Sequence, residues 1–215
     1  MRTNSKICIV IGNLTYEKAI QEIENISFAE IRMDLLNYTD QQYQNIFAKL
    51  TNSIATYRDN VDIQDVEKNY TTAIKSGCTY IDLDVELSEN LRLKLIEKAR
   101  NSGCKVILSY HNYTNTPTLQ ELTKIVNNLF TKGADVVKIA CMANDQADCA
   151  RVLGLYENHK NLVAFCMGKL GLITRLTAPI IGAPYTYASV SDTEIAPGLP
   201  SYNLVNDFLE KYNVD

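Results

Sequence analysis

Lys138 is the residue of this chain that most clearly suggests a reactive side chain, because it lies within the apolar segment 134–141, of sequence ADVVKIAC. Such a segment is typical of a buried strand, and a lysine is almost never fully buried without a partner. Desolvation disfavours the charged ammonium, and a neutral amine is a nucleophile towards carbonyl carbon. Two interpretations stand at this point. Lys138 is a nucleophile, or it lies at the strand end, where its ammonium reaches water or pairs with Asp135.

Further polar residues lie near the ends of other predicted strands, where alternate residues share one face. They are Glu30, Arg32 and Asp34 in the second strand, Thr56 and Arg58 in the third, Ser109 and His111 in the fifth, and Arg175 after the seventh. Arginine binds carboxylates in a bidentate manner, and histidine exchanges protons near neutral pH. The set therefore predicts a cationic site for a small carbonyl compound that carries a carboxylate. A structural ion pair between Glu30 and Arg32, and a solvated strand end at Arg58, are the alternatives.

The elements that would position these residues alternate regularly along the chain. Strands are predicted at 6–11, 28–33, 53–58, 79–83, 105–110, 135–140, 162–166 and 180–183. Helices are predicted at 63–76, 88–102, 119–132, 145–159 and 202–212. Eight strand–helix units favour the α/β class and a compact (β/α)8 TIM barrel, formed as a single catalytic domain over residues 1–215. The alternative, an open doubly wound sheet, is expected to carry a glycine-rich phosphate loop, and segment 11–14 is not one.

Composition narrows the classes of partner. The chain has 215 residues and a net charge of −4, which gives no basic footprint for nucleic acid. No apolar stretch approaches the length of a membrane helix, and the N-terminus shows no secretory signal, so we expect a cytoplasmic protein. The six cysteines form no Cys-x-x-Cys pair and His111 and His159 are the two histidines, so we expect reduced core cysteines and no metal site.

Five motifs resemble, in the same order along the chain, those of the type I 3-dehydroquinate dehydratases, the Schiff-base barrels of the shikimate pathway of aromatic amino acid biosynthesis. They are EIRMD at 30–34, TYR at 56–58, SYHNYTNTP at 109–117, ADVVKIACM at 134–142 and MGKLGLITR at 167–175. In addition, APG at 196–198 lies where the family has its lid sequence. The resemblance spans almost the whole chain.

The resemblance implies a lyase mechanism that needs no cofactor. Lys138 would form an imine with the C3 ketone of 3-dehydroquinate, and the imine would acidify the proton on C2. His111 would remove that proton and then protonate the departing C1 hydroxyl. The substrate carboxylate and hydroxyls would be positioned by Glu30, Arg32, Arg58 and Arg175. A homodimer is common in the family, and no further sequence feature bears on the oligomeric state.

Three positions depart from the family pattern. Asp62 stands where the family has the glutamate that orients the catalytic histidine, and its side chain is one methylene shorter. Ile195 and Leu199 replace the serine and glutamine of the lid, which hydrogen-bond substrate hydroxyls. These departures keep two alternatives open. One is a Schiff-base lyase or aldolase for a related keto acid, and the other is a ligand-binding relative without catalytic activity.

Overall fold

The computed structural model of the chain describes residues 4–58, 63–190 and 195–212, and eight strands alternate with eight α-helices within these ranges. The strands are β1 Ile7–Ile11, β2 Phe28–Arg32, β3 Asn52–Thr56, β4 Tyr80–Asp84, β5 Lys105–Asn112, β6 Val136–Met142, β7 Leu162–Met167 and β8 Thr186–Ser189. The helices are α1 Tyr16–Ile23, α2 Asp40–Lys49, α3 Ile63–Lys75, α4 Glu89–Asn101, α5 Leu119–Thr131, α6 Gln146–Gly154, α7 Leu172–Ile181 and α8 Tyr202–Glu210. Short 3-10 helices lie at Met33–Leu35, Leu155–Glu157 and Lys169–Gly171. None of the helices in these ranges has the length and apolar character needed to cross a bilayer.

The strands form one sheet in the order β7-β6-β5-β4-β3-β2-β1-β8. The pairing is parallel where its register is defined: Ile9 pairs with Ala29, Ala55 with Ile81, and Lys138 with Val163. Parallel neighbours that are consecutive in sequence need a crossover, which the intervening helices supply. The predicted alternation of strands and helices is therefore confirmed in the part of the chain that the structure describes.

Contacts between residues divide the chain into two compact units. The first unit comprises Ile9–Ile107, and the second comprises Asn4–Cys8 and Leu108–Asp215. The single domain expected over residues 1–215 stays a prediction.

The strands of both units are almost continuously buried, as expected for a parallel sheet with covered faces. In the second unit, β6 buries six of its seven residues, and Lys138 is one of them. Helix α5 leads into this strand. It begins at the capping box of Thr118 and Glu121, buries Leu122, Val126 and Leu129, and is followed by Gly133 at φ 95°. The sequence around Lys138 therefore fixes both the start of β6 and the burial of its side chains.

The prediction of the eighth strand at 180–183 was wrong. Residues 180 and 181 end α7, which contains Pro179, and Gly182 at φ 127° terminates the helix. A short apolar run does not by itself distinguish a strand from a buried helix end. The strand that completes the sheet is the four-residue β8. Helices α1, α2 and α7 were also missing from the predicted set.

Tyr70 of α3 links the middle of β4 to the residue that follows β3 in the first unit. Its buried hydroxyl donates a hydrogen bond to the carbonyl oxygen of Asp82 in β4, at 2.5 Å. It also accepts one from the backbone N–H of Tyr57, which follows β3, at 3.1 Å. Burial raises the pKa of this phenol, so it stays a neutral donor. The hydroxyl therefore satisfies one backbone group in β4 and another directly after Thr56 and the end of β3.

We predict that Tyr70→Phe lowers the free energy of unfolding by about 1–3 kcal/mol, because two buried backbone groups lose their partner. Urea unfolding followed by circular dichroism measures the change. Tyr212→Phe is the matched control. Because the ring of Tyr212 is largely exposed, its replacement should change stability by no more than about 0.5 kcal/mol. Equal effects of the two substitutions would contradict the role of Tyr70.

Candidate active site

Lys138 lies in the interior of the second unit, with 6% of its surface exposed. Its Nζ atom is 4.4 Å from the ring centroid of Tyr187 in β8. The face of an aromatic ring attracts a cation, and the attraction strengthens when the pair is removed from water. Lys138 is therefore largely removed from bulk water, and it lies within β6 rather than at the end of the strand.

The ring of Tyr187 belongs to an aromatic cluster that contacts a second cation. Tyr187 packs edge-to-face against Phe165 of β7 and against Tyr185, with ring centroids 6.0 and 5.5 Å apart. The guanidinium carbon of Arg175 lies 4.0 Å from the centroid of Phe165, and Arg175 is 2% exposed. One aromatic cluster thus holds both predicted cations of the second unit, Lys138 and Arg175.

His111 is the penultimate residue of β5 and is half-buried. Its ring is nearly parallel to that of Tyr113, with centroids 6.0 Å apart and an interplanar angle of 16°. The next residue, Asn112, accepts hydrogen bonds through Oδ1 from the backbone N–H groups of Thr114 and Asn115, both at 3.0 Å. These bonds fix the turn that follows His111. Strand β5 also neighbours β6 in the sheet, so the two residues with the clearest chemistry lie on adjacent strands.

The described part of the lid segment packs on the turn after β7. Arg175 donates from Nη2 to the carbonyl oxygen of Pro197 at 3.4 Å. Gly198 has φ 70°, and a Cβ atom there would lie 2.7 Å from the carbonyl oxygen of Gly168. Only glycine combines this backbone conformation with so close an approach. The two lid departures, Ile195 and Leu199, are half-buried in the same segment.

In the first unit, the charged residues of β2 are held by polar partners. Glu30 is buried, and its Oε1 accepts a hydrogen bond from the hydroxyl of Thr56 at 2.8 Å. Arg32 forms a bidentate pair with Asp34, at 2.9 Å from Nε and 2.6 Å from Nη2. Such a fork fixes the plane of the guanidinium as well as its position.

Arg58 lies between two carboxylates of β4. It donates to Asp82 at 2.7 Å and to Asp84 at 2.6 Å. Burial alone would lower the pKa of Arg58, but the two carboxylates outweigh that effect, so its pKa lies above the usual value.

The charged residues of the first unit do not form the cationic site that the sequence predicted. In the first unit, the two arginines, Arg32 and Arg58, are accompanied by four acidic side chains, those of Glu30, Asp34, Asp82 and Asp84. The positive charge expected from the arginines is therefore offset within this unit. Among the described residues, no group of three or more His, Cys, Asp or Glu side chains is placed to hold a metal ion.

Sequence reasoning missed three residues that contact the candidates. Asp82 and Asp84 occupy alternate positions of β4, so the rule that selected Glu30 and Arg32 would have found them. Tyr187 was missed because the eighth strand was placed too early. Asp62, expected to orient His111, lies outside the described residues, and its role stays a prediction.

Two relatives illustrate how far the sequence similarity extends. A 3-dehydroquinate dehydratase of Thermococcus onnurineus is 42% identical over 116 residues, which cover 54% of this chain and 53% of that protein. The chain thus spans about half the length of this curated relative. A 3-dehydroquinate dehydratase of Coxiella burnetii is 25% identical over 99% of this chain and 95% of its own length.

Solved structures establish the fold. The type I 3-dehydroquinate dehydratase of Clostridium difficile matches with a TM-score of 0.87, over 98% of this chain and 93% of that one, at 19% sequence identity. The eight alternating strand–helix units and this match together confirm the predicted (β/α)8 TIM barrel fold.

The family follows from the sequence as a whole. The family model described as type I 3-dehydroquinase matches residues 7–214, a range that contains all five motifs and both cations of the aromatic cluster. The chain therefore belongs to the type I 3-dehydroquinase family.

Proposed function

We propose that this chain is a hydro-lyase that converts 3-dehydroquinate into 3-dehydroshikimate through an imine on Lys138. The observation that carries the proposal is the environment of Lys138, a buried lysine on an aromatic ring in a chain of this family. An aromatic ring against Nζ limits the mobility of this amine and so helps to orient it towards a carbonyl carbon.

The proposed reaction has four steps. The Nζ atom of Lys138 adds to the C3 carbonyl carbon, and water leaves as the protonated imine forms. His111 removes a proton from C2, and the electron pair moves towards the imine nitrogen to give an enamine. His111 then gives the proton to the C1 hydroxyl, which departs as water while the C1–C2 double bond forms. Hydrolysis of the conjugated imine consumes one water and frees both the product and Lys138, so the net change is the loss of one water.

The aromatic cluster suits the charge of the proposed intermediate. A protonated imine carries the same positive charge as the lysine ammonium, spread over a larger group. The face of the Tyr187 ring attracts either cation. The ring also excludes water from one side of Nζ, which slows hydrolysis before the dehydration is complete. We assign Tyr187 the role of holding the imine nitrogen.

We assign Arg175 to the substrate carboxylate and Glu30, Arg32 and Arg58 to the hydroxyls. Arg32 and Arg58 are already paired with carboxylates, so further anion binding would compete with those pairs. Arg175 lies on the ring of Phe165 and donates a hydrogen bond to the carbonyl oxygen of Pro197. A guanidinium in this setting suits a planar carboxylate.

The proposed chemistry requires neither a metal nor an organic cofactor, because the imine itself is the electron sink. We place the protein in the cytoplasm, where the reducing glutathione pool would keep its six buried cysteines as thiols until oxidising conditions arise. The homodimer implied by the family stays a prediction, which sedimentation equilibrium would test.

We predict that Lys138→Ala reduces the formation of product from 3-dehydroquinate on the order of 10⁴-fold or more, because the nucleophile is lost. The ultraviolet absorbance of the conjugated enone measures the rate. Lys132→Ala, which removes an exposed lysine after α5, should leave the rate unchanged.

Three outcomes of this assay would contradict the proposal. The first is full activity of a folded Lys138→Ala protein. The second is inactivity of the wild type towards 3-dehydroquinate together with turnover of another keto acid, which would favour the lyase or aldolase alternative. The third is binding of 3-dehydroquinate without any absorbance change, which would favour a ligand-binding relative.

We predict that His111→Gln lowers kcat by about 10²–10⁴-fold, because the group that transfers both protons is removed. The second histidine of the chain supplies a matched control. His159 contacts the carbonyl oxygen of Leu155 and the side chain of Asn127, so His159→Gln should retain wild-type activity. An equal loss in both variants, or no loss in His111→Gln, would remove His111 from the mechanism.

We predict that Tyr187→Leu lowers kcat/KM by about 3- to 30-fold, the loss expected for one desolvated cation–aromatic contact. Tyr187→Phe keeps the ring and should lose less activity than Tyr187→Leu. Steady-state kinetics with the same absorbance assay compare the two variants. If the phenylalanine variant loses as much as the leucine variant, the ring is not what supports Lys138.

A further inference from the structure

Two successive helices of the first unit end in the same way. Ser-Gly-Cys occurs at 76–78 after α3 and again at 102–104 after α4. Gly77 and Gly103 have φ 82° and 72°, and each following cysteine donates its backbone N–H to a carbonyl oxygen of the last helical turn. This is the Schellman arrangement, which needs glycine at the residue with positive φ and turns the next residue inwards.

The repeated ending brings the two cysteine side chains together. Equivalent positions of consecutive parallel strand–helix units lie side by side, and the backbone N–H of Lys105 donates to the carbonyl oxygen of Thr79 at 2.9 Å just beyond them. The Sγ atoms of Cys78 and Cys104 lie 3.5 Å apart, although the residues are 26 positions apart in sequence. They are 4% and 6% exposed, beneath turns in which Gly77 and Gly103 are exposed.

We propose that Cys78 and Cys104 form a dithiol that a small disulfide of the glutathione class oxidises to an intramolecular disulfide. A disulfide has an S–S length of about 2.05 Å, so each sulfur would move by only about 0.7 Å. The helix ends already fix the backbone on both sides. The bond can therefore form within the folded unit.

The chemistry is an ordinary thiol–disulfide exchange. One cysteine thiolate attacks a sulfur of the oxidant, releases one small thiol and forms a mixed disulfide. The second cysteine then attacks the protein sulfur of that mixed disulfide and releases the second small thiol. The protein loses two protons and two electrons, and the oxidant gains them as two thiols.

Burial should make this reaction slow but selective. The hydrogen bond to Cys104 and burial both raise the pKa of the Cys78 thiol, which lowers the fraction of reactive thiolate. The turns above the pair carry exposed glycines, so a local opening of one helix end would suffice to admit the oxidant. Once formed, the bond would be reduced through the same local opening, so its reduction should also be slow.

The cross-link would act on stability. Its cysteines precede β4 and β5, whereas Asp82 and Asp84 lie at the other end of β4. Closing a segment of 26 residues restricts the unfolded chain and stabilises the folded unit. This inference does not rest on the proposed function.

In the test, the folded protein is treated with oxidised glutathione, and the remaining thiols are then blocked. Disulfides are mapped by mass spectrometry of proteolytic fragments. We expect a peptide pair that joins Cys78 to Cys104 and a rise in Tm of about 5–10 °C that dithiothreitol reverses. Cys78→Ala should abolish both results. Cys8→Ala, which removes another buried cysteine, should retain both.

Several results would overturn the proposal. They are the absence of the Cys78–Cys104 peptide pair after oxidation of the folded protein, its appearance only after unfolding, and an unchanged or lower Tm in the oxidised protein. A rise in Tm that persists in Cys78→Ala would likewise assign the effect to other cysteines.

Discussion

Lys138 lies inside a parallel sheet, so the surrounding residues of the second unit must compensate for the hydration that its side chain loses. Removing an ammonium from water costs several kcal/mol unless surrounding groups compensate. Around Lys138 the compensation includes the face of Tyr187, which is itself held by Phe165 and Tyr185. The aromatic side chains of β7 and β8 therefore belong to the core and also contact Lys138 or its neighbouring ring.

The candidate site cations of the two units contact different kinds of group. In the first unit, Arg32 and Arg58 are fixed by carboxylates, which set the position of each guanidinium and offset its charge. In the second unit, Lys138 and Arg175 each lie on an aromatic ring, whose face attracts a cation.

The sequence predicted those features that depend on local pattern. The burial of Lys138 followed from an apolar segment bounded by Gly133, and β6 begins within one residue of its predicted start. The position of β8 did not follow, because the run Ile180–Gly182 has the composition of a strand but ends a helix. The contact between Lys138 and Tyr187 joins residues far apart in the chain, and no periodicity encodes such a contact. The pairing of Arg58 with Asp82 and Asp84 could have been predicted from the sequence, because alternate residues of a strand share a face.

The most direct test of the account is chemical trapping of the imine. The folded protein is mixed with 3-dehydroquinate, reduced with borohydride, digested and analysed by mass spectrometry. The account predicts a stable ligand adduct on the peptide that contains Lys138, in the wild type and also in His111→Gln, because imine formation precedes proton transfer. An adduct on a different lysine, or no adduct on a protein that is folded and turns over the substrate, would contradict it.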